Sequence, residues 1–126
     1  MPEQQELGWY RFFRNHENDI ALHRDGSGRY RLKTTLFVGK GLSLYSSGEC
    51  SALEVVARNP GCGVAFIPQS ALDAEKLKPL PEFDDGGPGH YEVDGTVNEK
   101  KAKRIRQQAR IVIQIVGIHV VDGPGG

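Results

Sequence analysis

The sequence predicts an α+β fold, with a small mixed sheet of about 4–6 strands and two or three helices, one of them a basic amphipathic helix. Short apolar or alternating runs bounded by Gly, Pro, Asn and Asp are typical of strands. One later run places apolar residues three and four positions apart, which is the spacing of a helix face. The length of 126 residues indicates one domain. We expect a flexible N-terminus over residues 1–8, a single globular domain over 9–121, and a flexible Gly/Pro tail over 122–126.

The first half of the chain contains several strand candidates. Residues 9–14 alternate bulky and basic side chains, which predicts a strand with one buried face. Residues 20–23 and 29–32 flank the turn sequence Asp-Gly-Ser-Gly, so a hairpin or an excursion loop is expected there. The short apolar pieces 36–38 and 42–45 are separated by the glycines of 39–41.

Two helices and a buried strand are predicted next. Residues 49–58 place Leu53, Val56 and Ala57 at helical spacing, and Asn59-Pro60-Gly61 ends the helix. Residues 63–67 are an apolar run typical of a buried strand. Residues 70–77 predict a short helix with Ser70 as its N-cap.

The last third begins with a Pro- and Gly-rich loop whose residues 84–89 are expected to be mobile, followed by a strand at 90–93. The clearest helix comes next and ends near Arg110. Its apolar stripe consists of Ala102, Ile105, Ala109, Val112 and Val116. Residues 111–121 are rich in β-branched side chains and are compatible with helix or strand, and we favour a strand.

The bulk composition excludes several classes of protein. Hydrophobic residues make up 38% and charged residues 25% of the chain, which is typical of a globular domain and not of a disordered one. No apolar run approaches the roughly 18 residues that span a bilayer, and the first residues lack the layout of a signal peptide. We therefore expect a cytoplasmic protein that does not bind a membrane. Cys50 and Cys62 are interpreted as small buried hydrophobic residues.

The net charge of zero conceals a segregation of charge along the chain. Residues 9–40 carry 7 basic and 3 acidic side chains (+4), residues 41–97 carry 3 and 9 (−6), and residues 98–110 carry 6 and 1 (+5). If the fold brings the two basic segments together, a neutral protein presents a positive surface. Otherwise the opposite charges neutralise each other across the surface.

The sequence lacks the standard catalytic motifs. It has no phosphate-binding loop, zinc-ligand spacing, nucleophile elbow or dinucleotide fingerprint, so we predict no metal and no cofactor. Among the four histidines, His90 stands where the Gly/Pro-rich loop enters a strand. This position suits an acid/base catalyst as well as an ordinary surface residue. His16 and His23 are expected on a surface loop, and His119, in an apolar run, is expected in the core.

A cluster of polar side chains follows the glycines at 39–41. In a strand, Ser43, Tyr45 and Ser47 share one face, which suits hydrogen bonding to a polar ligand. Alternatively, Ser46, Ser47 or Gly48 begins the helix that follows, with Glu49 in its first turn.

The basic residues form two candidate binding groups. Arg11, Arg14, Arg29, Arg31 and Lys33 are interleaved with aromatic residues, which suits stacking on bases and clamping of phosphates. A basic helix is able to follow a phosphate backbone, although charges of this kind also serve simply to solvate a helix face. The candidate partner-binding residues are Arg14, Arg31, Lys100, Lys101, Lys103, Arg104, Arg106 and Arg110.

Two resemblances follow from these motifs. The series Gly41-Leu-Ser43, Gly63-Val-Ala65 and Pro88-Gly-His90, leading into the basic helix, resembles a group of small uncharacterised bacterial domains, which implies a bacterial origin. The chain also resembles ADP-ribosyltransferase-like toxins, which have an Arg or His on an early strand, a Ser or Tyr after a Gly-Leu turn, and a later Glu. The resemblance assigns these positions to Arg11 or Arg14, to Ser43 or Tyr45, and to Glu92.

Two functions are therefore predicted. The first is an accessory or interaction domain that binds an acidic partner, either a protein or nucleic acid, through its basic segments. The second is a small toxin-like enzyme acting on a nucleotide or nucleic acid. In that enzyme His90 is the acid/base, Ser43 and Tyr45 position the substrate, and Arg11 or Arg14 clamps phosphate.

Overall fold

The α+β fold class is confirmed by a computed structural model of the chain, which describes residues 6–82 and 87–123. These residues form a six-stranded antiparallel sheet, two smaller sheets and three α-helices. The predictions of flexibility fall partly on residues 1–5, 83–86 and 124–126, which lie outside the described residues.

The strands and helices are short and alternate along the chain. The strands are β1 (Gly8–Phe13), β2 (Ile20–Leu22), β3 (Tyr30–Leu32), β4 (Gly39–Lys40), β5 (Ser43–Ser46), β6 (Gly63–Pro68), β7 (Pro79–Pro81), β8 (His90–Val93), β9 (Thr96–Val97), β10 (Arg110–Ile113) and β11 (Val120–Val121). The helices are α1 (Ala52–Arg58), α2 (Gln69–Ala74) and α3 (Glu99–Gln108), and a 3-10 turn spans Thr34–Phe37.

The main sheet has the strand order β10-β6-β1-β5-β8-β7. Each neighbouring pair in it is antiparallel. A second sheet, β11-β3-β2, contains the predicted hairpin, in which Ile20 pairs with Leu32, and adds β11 in parallel to β3. The third sheet consists of β4 and β9. The polar segment that follows the glycines thus becomes an inner strand, β5, flanked by β1 and β8.

Both faces of the main sheet are covered, and β6 shows this most clearly. All six of its residues are buried, as its unbroken apolar sequence predicts. On one face, α2 and α3 contribute to the larger core cluster with Leu44 and Val93. On the other face, Val55 of α1 packs in a smaller cluster with Tyr45 and Val64. Side chains alternate along β5, so Leu44 and Tyr45 point to opposite faces.

Helix α1 begins later than predicted. Its N-cap is Ser51, whose side chain accepts a hydrogen bond from the Glu54 amide while the Glu54 carboxylate accepts one from the Ser51 amide. The predicted start at Ser46, Ser47 or Gly48 is wrong, because the Ser46 carbonyl is used in the preceding turn. The predicted apolar face is wrong in part: Val55 is buried and Leu53 is 73% exposed, whereas Val56 packs against the smaller cluster as predicted.

Helix α2 does not use the predicted cap. Pro68 occupies the N-cap position without a side-chain hydrogen bond, and Ser70 lies inside the first turn and is exposed. The helix ends at Ala74, and Lys76 then adopts a left-handed φ of 56°. This reversal lets the Leu77 amide bond back to the Leu72 carbonyl.

Helix α3 follows the predicted stripe over its own length. Asn98 caps it, and Ala102, Ile105 and Ala109 are fully buried. The predicted change to strand near Arg110 is confirmed, and Val112 and Val116 are exposed because they lie beyond the helix. In residues 6–82 and 87–123 no helix is long and apolar enough to cross a membrane.

Two predictions of side-chain burial, one for the cysteines and one for His119, have opposite outcomes. Cys50 and Cys62 are buried thiols, as predicted. The prediction that His119 is a core residue is wrong, because its side chain is exposed. Its carbonyl accepts a hydrogen bond from the Tyr30 amide, and alternation sends the next side chain, Val120, into the core instead.

Gly63 provides a test of the sheet packing. A Cβ atom there would overlap the Phe13 ring and stand 2.8 Å from the carbonyl oxygen of Ile113. We expect Gly63→Ala to lower the free energy of unfolding by about 1–3 kcal/mol through overpacking, as measured by urea denaturation. Gly48→Ala is the matched control, because its Cβ would meet only ordinary contacts at 3.7 Å or more. Equal stability of the two variants would contradict this account.

Candidate functional site

Ser43 and His90 meet on the neighbouring strands β5 and β8. The Ser43 hydroxyl oxygen lies 2.6 Å from the His90 Nε2 atom, a short hydrogen-bonding distance. Within the paired strands Ser43 stands opposite Glu92 and Tyr45 stands opposite His90. Residues two positions apart on a strand share a face. Ser43, Tyr45, His90 and Glu92 therefore occupy one patch of the sheet, on the face where Tyr45 packs with α1.

His90 is held in place from several directions. It is 8% exposed, and its ring lies 5.2 Å from the Tyr45 ring, centroid to centroid. The Arg58 guanidinium lies 5.9 Å from the centroid of the Tyr45 ring. It also donates a hydrogen bond to the Pro88 carbonyl. The Ser46 amide in turn donates to the Gly89 carbonyl. The segment just before His90 is thus tied to α1 and β5.

Glu92 lies beside the glycine turn that precedes β5. A Cβ atom on Gly41 would stand 3.4 Å from the Glu92 Oε2 atom. Together with Lys40, Glu82 and Asp94, these two residues line a cleft of about 200 Å³. The carboxylate is only partly buried, so a ligand in this cleft is able to reach it.

A second cleft, of about 350 Å³, is lined by His90 and is bordered by acidic residues. Its walls include Glu49, Glu82, Tyr91 and the segment 87–89. The pKa of Tyr91 is raised, first by its hydrogen bond to Glu49 and then by desolvation. Glu82 lines both clefts, so the two openings are adjacent along the β7–β8 edge.

Arg11 holds the backbone of β5 at Ser43 through hydrogen bonds from the neighbouring strand β1. Its guanidinium donates hydrogen bonds to the Leu36 carbonyl at 3.0 and 3.2 Å and to the Ser43 carbonyl at 3.2 Å. Burial lowers the pKa of Arg11, an effect that Asp19 opposes and Arg14 reinforces. Its side chain thus binds backbone carbonyls, one of them at Ser43, and links the 3-10 turn to β5.

The two basic segments converge at another surface. A pocket of about 430 Å³ is lined by His23, Arg24 and Arg31 from the first segment and by Lys103 and Arg106 from the second. Burial and then the charge of Arg31 lower the pKa of Arg106. We call these five residues the basic pocket.

The remaining candidate binding residues are divided between paired and exposed positions. Arg104 makes a two-pronged ion pair with the buried Glu75, and Arg110 pairs with Glu6 at 2.7 Å. Arg14 is exposed, with its guanidinium 5.4 Å from the Phe12 ring centroid. Lys100 is exposed and Lys101 is half-buried.

Sequence reasoning missed several residues of these sites. His23 was assigned to a surface loop and Arg24 was not singled out, although their nearness in sequence to Arg31 was a signal for the first wall of the basic pocket. The pairing of Glu75 with Arg104 spans 29 positions and has no local signal. Tyr91 and Glu49 likewise meet only through the fold.

Across the described part of the chain, no three His, Cys, Asp or Glu side chains are grouped as metal ligands would be. No protein-family model, curated protein or solved structure matches the chain significantly.

The Glu75–Arg104 pair predicts a pH-dependent stability. Hydrogen bonds from Arg104 hold the pKa of Glu75 below its ordinary value of 4.5. A depressed folded pKa adds stability above the unfolded value, and this stability is lost as the pH falls through the folded value. We expect Glu75→Gln to lower the melting temperature at pH 7, with the difference from the wild type narrowing as the pH falls below 4.5 and through the lower folded pKa of Glu75. A difference that does not change with pH would contradict this account, and Glu17→Gln, at an exposed position, is the control.

Proposed function

We propose that the chain is a small enzyme that acts on a nucleotide and transfers its ADP-ribosyl group, in the manner of ADP-ribosyltransferase-like toxins. The observation that carries this proposal is the cluster on β5 and β8, where the Ser43 hydroxyl lies 2.6 Å from His90 Nε2 and the Ser43 backbone stands opposite Glu92 in the strand pairing. A hydroxyl, an imidazole and a carboxylate on one face of a sheet, beside open clefts, supply the groups that acid/base chemistry needs.

The strand arrangement also supports the proposal. The resemblance concerns an Arg or His on an early strand, a Ser or Tyr after a Gly-Leu turn, and a later Glu. In this fold the corresponding residues Arg11, Ser43 and Glu92 lie on three adjacent strands, β1, β5 and β8. Arg11 and Glu92 are separated by 81 positions in sequence, yet Arg11 contacts the Ser43 backbone and Ser43 stands opposite Glu92.

The chemistry assigns a role to each group. When the bond between the ribose C1′ and its leaving base breaks, positive charge develops on the sugar ring, as in glycoside hydrolysis. The Glu92 carboxylate stabilises that charge. The base departs with the electron pair of the broken bond, and the oxygen of water or of an acceptor forms the new bond to C1′. The proton of that oxygen passes to Glu92 or, by way of Ser43 Oγ, to His90.

The supporting residues act by positioning. Arg11 fixes the β5 backbone at Ser43, and Tyr45 packs against the His90 ring. Because the three hydrogen bonds of Arg11 go to carbonyl oxygens, we assign it this structural role in place of phosphate clamping.

The direct test uses NAD⁺, a common donor of ADP-ribosyl groups, with release of nicotinamide as the readout. We expect Glu92→Gln to lower the rate by about 10²–10⁴-fold, because the amide keeps the shape and removes the charge. We expect His90→Asn and Ser43→Ala to lower it as well, and His90→Ala to abolish any toxicity on expression.

The control for the lost carboxylate is Glu17→Gln, on an exposed loop away from β5 and β8. Circular dichroism and urea denaturation establish that each variant is folded. The proposal fails if the wild type releases no nicotinamide, or if folded Glu92→Gln retains the wild-type rate.

A second candidate function is the binding of an acidic partner, protein or nucleic acid, through the basic segments. The convergence of both segments on the basic pocket favours it. This function does not depend on the cluster at Ser43, because α3 packs against the sheet face opposite to Tyr45.

A further inference from the structure

The basic pocket is unusual in the charge of its lining. Its five lining residues are all basic, and four of them are the arginine and lysine side chains of Arg24, Arg31, Lys103 and Arg106. In residues 6–82 and 87–123, no carboxylate lies within ion-pair distance of these four side chains. His23 is different, because its Nδ1 atom lies 3.3 Å from an Asp25 carboxylate oxygen.

Arg106 is in an unfavourable position in the free protein. Its Nε atom is buried and makes no hydrogen bond within the described residues. The nearby Arg31 has the same charge. Burial of the Arg106 side chain and, to a lesser extent, the charge of Arg31 lower the pKa of Arg106. A buried donor without a partner and a repulsive pair of cations both cost free energy. An anion in the pocket would offset both costs.

The shape of the charged surface favours a compact anion over an extended one. On α3, Arg104 is engaged by Glu75, and just beyond the helix Arg110 is engaged by Glu6, so the basic helix does not offer a continuous row of available cations. The available cations are instead concentrated around about 430 Å³ of concave space. Several guanidinium groups that converge on one space bind the oxygens of a phosphate better than a single point charge such as one ammonium group does.

We propose that the basic pocket binds a compact phosphate-bearing anion of the pyrophosphate type, with Arg31, Lys103 and Arg106 as its principal contacts. This inference rests on the second candidate function, the binding of an acidic partner, and specifies the chemistry that the partner presents. It is independent of the proposed catalytic cluster on β5 and β8, which lies on the other side of the main sheet.

The test is titration of the full chain with sodium pyrophosphate by isothermal calorimetry, together with the shift in melting temperature. We expect wild-type protein to bind and to be stabilised. We expect Lys103→Gln to weaken binding about tenfold or more, and Arg31→Gln to do the same. Lys103 is exposed, so its replacement is not expected to disturb the fold.

The matched control is Lys100→Gln, which removes one positive charge from the same helix outside the pocket. Unchanged affinity in this variant supports a defined site, whereas equal weakening by Lys100→Gln and Lys103→Gln overturns it in favour of diffuse charge attraction. Retained pyrophosphate binding by Glu92→Gln further supports a site separate from the catalytic cluster, and its loss would overturn that separation.

A second set of titrations distinguishes failure of the pyrophosphate site from failure of the second candidate function on which it rests. A single-stranded oligonucleotide and a polyglutamate peptide are titrated under the same conditions. Binding of either polymer without pyrophosphate binding overturns the compact site and leaves the second candidate function standing. Binding of none of the three ligands overturns both.

Discussion

The register between β5 and β8 is the constraint on which the rest of the candidate chemistry depends. Antiparallel pairing sets Ser43 opposite Glu92 and Tyr45 opposite His90. A slip of one residue would send the hydroxyl or the imidazole to the other face of the sheet. Two features oppose such a slip: Leu44 and Val93 are buried on the far face, and Arg11 holds the Ser43 carbonyl from β1.

The same sheet separates two sets of polar groups. Its α1 face carries the hydroxyl, imidazole and carboxylate cluster, of which His90 and Glu92 line clefts with several acidic side chains. The opposite face carries α3, which meets the β2–β3 hairpin around the basic pocket. A neutral chain thus has an acidic region and a basic region on different surfaces, and each region is suited to a different ligand chemistry.

Local patterns predicted the elements well where one pattern dominated. The apolar run of β6, the stripe of Ala102 and Ile105, and the placement of His90 at the start of a strand were all correct. The predictions were wrong where two local signals competed. Several serines precede α1, and only the capping box of Ser51 with Glu54 fixes its start. His119 was expected to be buried because its neighbours are apolar, but alternation directs it outward.

By itself the sequence determined the α+β class, the segregation of charge and the residues available for chemistry, because these follow from periodicity and composition within short windows. Only the tertiary structure decided which of those residues meet. The Ser43–His90 contact spans 47 positions and the Arg104–Glu75 pair spans 29. Strand order and register set such contacts, and both are fixed by packing of the whole core, which no short window of sequence contains.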